Sequence, residues 1–165
     1  MPKLMDLLGL PVLVLETGIQ IAEVQEILVE LEQAVILGIM VTGSKWFTYD
    51  QGIMFEDLYR IGRDAILVRD SNVVGRLRCD SRPQVLHFPY DLCNKQIYTE
   101  SGVQLGILVD IAFNETTGEI TTYEVSDGLF SDLLFGRKLM PLPQAQVIGQ
   151  DKLIVPETMA KLLHS

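Results

Sequence analysis

The sequence predicts an all-β protein built from two small β-barrels in tandem, with a short C-terminal helical tail. Three observations carry that prediction. First, Glu16-Thr17-Gly18-Ile19-Gln20-Ile21 returns 84 residues later as Glu100-Ser101-Gly102-Val103-Gln104-Leu105. Second, Ile61-Gly62-Arg63-Asp64-Ala65-Ile66-Leu67-Val68 returns 87 residues later as Ile148-Gly149-Gln150-Asp151-Lys152-Leu153-Ile154-Val155. Third, the stretches between these markers read as short strands separated by glycine turns. Two matches in the same order at nearly the same spacing indicate a duplication. The change of spacing places three extra residues in the second copy, between Asp127 and Lys138. The copies span 1–75 and 90–165. The intervening 76–89, with two prolines and alternating charge, reads as a short ordered linker.

Each copy opens with a short strand, Val12–Leu15 or Gln96–Thr99, followed by a turn at Gly18 or Gly102. The long segment that follows is ambiguous in the first copy. Gln20 to Ile36 is rich in helix formers, and Val24, Ile27, Leu28 and Leu31 fall at helical spacing. Its counterpart resolves the ambiguity. There Gly106 interrupts the run, Val109, Ile111 and Phe113 alternate, and a turn at Asn114 to Gly118 leads into the Thr- and Tyr-rich Ile120 to Val125. That is a β-hairpin pattern. Two copies of one module share one fold, so a strand is expected at Gln20 to Ile36 as well. The register pairs Val24 with Leu108, Glu26 with Asp110 and Ile27 with Ile111. A variable loop follows. A final hairpin turns at Gly62-Arg63-Asp64 or Gly149-Gln150-Asp151, where glycine is expected to supply positive φ and Asp to bond its own backbone. Beyond Pro156 one or two helical turns are expected.

Composition narrows the function classes. Hydrophobic residues are 48% and charged residues 21% of the 165, a globular balance. The longest apolar run, Ala34 to Val41, is too short for a transmembrane segment, and Met1 to Gly18 lacks the features of a secretory signal. A cytoplasmic protein is expected, one that could sit at the periphery of a membrane complex. Cys79 and Cys93 are expected to be reduced thiols. The net charge is −9, which disfavours direct nucleic-acid binding. It is uneven: −7 over 1–59, +3 over 60–82 and −5 over 83–165.

These motifs together resemble the PRC-barrel family. The resemblance rests on Glu100-Ser101-Gly102, Gly106 to Ile111, Glu115 to Gly118, Met140-Pro141-Leu142-Pro143 and Ile148 to Val155. The first copy departs from it, with Ala22 for Gly106, Glu26 for Asp110, and no glycine near Glu32-Gln33. The resemblance implies a small barrel that binds partners. Relatives are the cytoplasmic domain of the photosynthetic reaction-centre H subunit and the C-terminal domain of a ribosome maturation factor. It implies no catalytic residue, cofactor or metal, because the shared motifs are turn and core residues.

The residues themselves offer little chemistry. Cys79, His87 and Cys93 do not match zinc-ligand spacing, and His164 stands alone. Thr42-Gly43-Ser44-Lys45 resembles a phosphate loop without its spacing and reads as a turn. Asp110, Asp127, Asp132 and Asp151 are acid/base candidates by type alone; Asp151, like Asp64, reads as a turn residue, and Asp110, matched by Glu26, as a fold residue. Gly18, Gly102, Gly118, Gly62, Asp64, Gly149 and Asp151 are expected to define turns. The candidate partner surface is Leu129, Phe130, Leu133, Leu134 and Phe135, with Trp46 and Phe47 in the matching loop. Its competing role is to cap the barrel. The arginines of 60–82 are expected to pair with the chain's own acids. A non-enzymatic adaptor follows, binding a protein partner of basic character or a second copy of itself. The alternatives are a small-molecule-binding barrel or unrecognised enzyme, and a peripheral component of a photosynthetic or other membrane complex.

Overall fold

The computed structural model describes residues 2–43, 51–77, 84–128, 133, 136–143 and 146–163. Among the described residues, thirteen strands form two sheets. The first half supplies β1 (Pro11–Val14), β2 (Gln20–Glu30), β3 (Val35–Gly43), β4 (Gln51–Met54), β5 (Arg60–Ile61) and β6 (Ile66–Val68). After β7 (Leu86–Phe88), the second half supplies β8 (Gln96–Thr99), β9 (Gln104–Phe113), β10 (Ile120–Ser126), β11 (Lys138–Pro141), β12 (Val147–Ile148) and β13 (Lys152–Val155). Short helices α1 (Leu4–Leu7) and α2 (Met159–Leu162) lie near the two ends. The helical tail expected after Pro156 is α2.

The two sheets share one connectivity. The first runs β4-β3-β2-β1-β6-β5 and the second β11-β10-β9-β8-β13-β12. β1 pairs parallel with β6, as β8 does with β13, and the other pairs along both paths are antiparallel. The registers also correspond. Ile27 faces Ile39 and Ile111 faces Tyr123, each 84 residues on. Ile53 faces Ile39 and Met140 faces Tyr123, so the edge strand lies 87 residues on. The shift from 84 to 87 thus falls between β10 and β11, where three extra residues were expected. Bulges recur at the same places, between Val12/Leu13 and Ile97/Tyr98. Because a one-residue slip turns every side chain to the other face, matching registers mean matching cores.

The helical periodicity of Gln20 to Glu30 is explained by burial. β2 is a strand, and it is buried on both faces near its end. Ile27, Val29 and Leu31 enter the main core, while Leu28 joins Met40, Leu77 and Val85 in a second cluster. A strand covered on both sides loses its polar alternation and becomes indistinguishable by pattern from a helix. Leu77 and Val85, which form the cover, belong to the stretch expected to act as a linker.

Turn chemistry follows the expectation in part. Gly18, Gly102 and Gly118 have φ of 70°, 88° and 78°. The first half, lacking a glycine at the place of Gly118, puts Ala34 there at φ 56°. Gly62 and Gly149 correct the expectation, for neither has a positive φ. They are needed for closeness: a Cβ at Gly62 would lie 3.0 Å from the Ala65 carbonyl oxygen, and one at Gly149 3.2 Å from that of Lys152. Asp64 is likewise held by a side chain, the Arg63 guanidinium at 3.0 Å.

The expectation of two small tandem barrels is met in part: the chain is mostly β and forms two sheets, and closed barrels are not seen among the described residues. Among the described residues no pairing joins β4 to β5 or β11 to β12, although Gly52 of β4 is bridged to Gly75, and a single core cluster includes residues from both halves. The halves are tied together reciprocally. Ile36 N–H donates to the Gly118 carbonyl and Ile120 N–H to the Ala34 carbonyl, both at 2.8 Å. These two bonds exchange under an 84-residue shift, and the bridge between them, Val35 to Glu119, maps onto itself. The segment before each first strand behaves in the same way. β7 pairs His87 with Leu28 of the first sheet, whereas Lys3 bridges to Ala112 of the second. Lys3 and His87 are 84 apart, as are Leu28 and Ala112. Each half therefore lends an N-terminal arm to one sheet while Leu4 and Phe88, the next residues, are fully buried.

Candidate functional site

Two places combine polar chemistry with the join between the halves. The first lies where the N-terminal arm crosses the second sheet. Asp110 and Glu124 face each other across β9 and β10, and both are buried. Asp110 Oδ1 accepts from Met5 N–H at 3.1 Å and Ile111 N–H at 2.8 Å. Burial pushes the Asp110 carboxyl up. The two N–H donors oppose the shift, and nearby Glu124 and Asp6 add to it. Glu124 meets Lys3 Nζ at 2.8 Å and Arg137 at 3.5 Å. The Lys3 contact is a charge pair without hydrogen-bond direction, since Glu124 Oε2 has no directed partner. In the first half Glu26, which holds the place of Asp110, lies 3.4 Å from His87 Nδ1. A basic residue of each arm thus meets an acid of the sheet it crosses.

This arrangement anchors a strap, and its chemistry makes a pH prediction. An acid with a raised folded pKa contributes stability that is present below its unfolded pKa, about 3.9, and is lost as pH rises through the folded value. Asp110→Asn keeps an acceptor for both N–H groups and removes the like charge opposite Glu124. Its stability at pH 7 is expected to exceed the native protein's by about 0.5–1 kcal/mol, the size of a cross-strand pair. The difference should vanish below pH 3.9, as measured by urea denaturation across pH. A constant difference at all pH values would refute this account.

The second place is a cleft of about 400 Å³, where Phe55, Tyr59, Arg60 and Ile61 of the first half face Glu115 and Thr116 of the second. A further cavity of about 460 Å³ continues from it, sharing Ile61 and Glu115 and reaching Asp6 and Arg63. Phe55 also packs on the hairpin of the second half: a Cβ at Gly118 would lie 3.0 Å from its ring. Arg69 stacks over Tyr59, 4.7 Å from the ring centre.

The residues singled out from the sequence are scattered over this frame. Of the candidate partner surface, Leu133 is 77% exposed. Leu129, Phe130, Leu134, Phe135, Trp46 and Phe47 lie outside the described residues, as do Cys79, His164, Ser44, Lys45 and Asp132. In sequence, 44–50 between β3 and β4 and 127–137 between β10 and β11 occupy equivalent places. Cys93 is half-buried and bonds the Val109 carbonyl at 3.6 Å. Burial, then the Asp110 charge, pushes its thiol up to about 11, which leaves it a poor nucleophile. Asp127 pairs with Lys138 at 2.6 Å. Of the 60–82 arginines, Arg60, Arg63, Arg69 and Arg76 are exposed. The expected pairing with the chain's own acids holds for Arg63, whereas Arg69 uses an aromatic ring. Sequence reasoning missed the cleft, because it joins residues more than 50 apart that carry no motif.

Residues 85–162 match the PRC-barrel domain family. The match begins in the cover and arm before β8 and ends within α2. No curated protein matches the chain. Among the described residues, no helix is long and apolar enough to cross a membrane.

Proposed function

We propose that the chain is a tandem pair of PRC-barrel modules fused into one body, and that it acts as a non-enzymatic adaptor for a protein partner. The shared strand order and the 84- and 87-residue register offsets support the tandem reading. The domain match over 85–162 supports the module.

The observation that carries the adaptor role is Leu133. It lies in the 127–137 connection, where the second half is three residues longer, and it holds a large apolar side chain 77% in solvent. The fold does not need that length, since the first half closes the same connection without it. In sequence Leu133 stands among Leu129, Phe130, Leu134 and Phe135, and apolar residues gathered in one exposed patch mark a partner site. The charge of −9 gives this surface a preference for a basic partner and a salt-dependent encounter.

The test is affinity capture with the full chain and with Leu133→Asp, followed by mass spectrometry. A partner retained by the native chain, lost by the variant and released by raising salt to about 0.5 M is the expected result. Identical protein sets on both baits would count against this surface.

A further inference from the structure

We propose that the cleft at the join binds a small zwitterion of dipeptide size, with its carboxylate on Arg60 and its ammonium on Glu115. Three observations lead there. The cleft volume of about 400 Å³ falls within the range of small-molecule sites, about 300–1,000 Å³. Its lining is more polar than apolar, with Phe55, Leu58 and Ile61 beside the Tyr59 ring, and its charged groups come from opposite halves. Arg60 and Glu115 are both exposed, and neither side chain forms a hydrogen bond or ion pair among the described residues.

The internal correspondence separates this site from structural necessity. Arg60 and Val147 hold the same place, each opposite the same residue of its hairpin, Leu67 and Ile154. By the same offset Tyr59 corresponds to Gln146 and Phe55 to Leu142, and Glu115 corresponds to Leu31. The other join thus lacks the arginine and the aromatic rings, and its acid, Glu32, stands at the place of Thr116 instead of Glu115. Residues that one half of a matched pair does without are not required by the fold. Here they converge on one cleft.

A molecule with an apolar body and opposite charges at its ends matches that lining. Guanidinium binds carboxylate with paired N–H donors, and carboxylate accepts from ammonium. Both contacts are solvent-exposed, so each contributes modestly, about fivefold in affinity. A dissociation constant of about 1 mM is expected.

The experiment is an amide NMR titration of the full chain with L-leucyl-L-phenylalanine, its N-acetyl derivative and its C-terminal amide. Saturable shifts at Tyr59, Arg60, Ile61, Glu115 and Thr116 are expected, with each capped form about fivefold weaker. Arg60→Gln should bind the amide as well as the parent dipeptide, and Glu115→Gln should do so for the N-acetyl form. These are exposed positions, so the variants fold. Absence of saturation at concentrations of about 20 mM overturns the proposal, being well past the expected constant. So do shifts elsewhere, or capped forms that bind as tightly as the parent.

Discussion

Phe88→Ala and Leu4→Ala are each expected to destabilise the protein by about 3–4 kcal/mol, as large as any core truncation. Neither residue belongs to the strands that build its own half. Leu4 sits in a four-residue helix near the N-terminus, and Phe88 ends β7 in a stretch that reads as a linker. Both are fully buried, and both belong to the core cluster that contains the two sheets. An aromatic or leucine side chain removed from such a site leaves a cavity that packed neighbours fill only in part. The arms are also bonded where they cross. Phe113 N–H donates to the Pro2 carbonyl at 3.1 Å, and His87 pairs with Leu28. Losing the anchor therefore threatens the pairing as well. Because the core is shared, urea unfolding should remain one transition, with fluorescence and circular dichroism coinciding in the native chain and both variants. A cost below about 1 kcal/mol at either site would mean that the arms are ornaments on two independent halves. Two separated transitions would mean the same.

Those arms mark the limit of what the sequence reveals. Gly18 and Gly102 repeat because a positive φ leaves few alternatives, so the turns are legible as motifs. The strand at Gln20 to Glu30 became legible by comparison with Gln104 to Phe113, whose Gly106 excludes a comfortable helix. The arms carry no such signature. Lys3 and His87, or Leu4 and Phe88, share a place without sharing a residue type: backbone bridges and an acid partner unite the first two, and burial the second two. Ala34 shows the same loss of signal in a turn: it takes the left-handed conformation where Gly118 does, held by the bonds between the hairpin tips. The cleft was illegible for a different reason. Arg60 and Glu115 are 55 residues apart in the sequence, and only the reciprocal packing of the halves brings their surroundings together. Periodicity reads contacts along a strand and misses contacts between one half and the other.

Glu124→Met is expected to leave the protein as stable or stabilise it by about 1–2 kcal/mol, although the mutation breaks two ion pairs. The first half supplies the reason. Its residue at this place is Met40, which is buried with Leu28, Leu77 and Val85 under the cover of the connecting segment. The second half puts a carboxylate there, 8% exposed and directly opposite Asp110. Two cations approach it, Lys3 at 2.8 Å and Arg137 at 3.5 Å, but one carboxylate oxygen receives no directed hydrogen bond. Desolvating a carboxylate is costly, and ion pairs recover that cost only when geometry is good and every lone pair is met. Methionine removes the cost and fills the space with a flexible apolar chain. Lys3 and Arg137 are 39% and 49% exposed in their side chains, so they return to water without penalty. Lys3→Met alone should do the opposite, lowering stability by about 1–2 kcal/mol, because it strips a partner from a charge that stays buried. Urea denaturation of the two single variants and the double variant measures the coupling between the residues. If Glu124→Met costs more than about 1 kcal/mol, the Lys3 and Arg137 pairs are net stabilising, and the arm is held chiefly by charge instead of by Leu4.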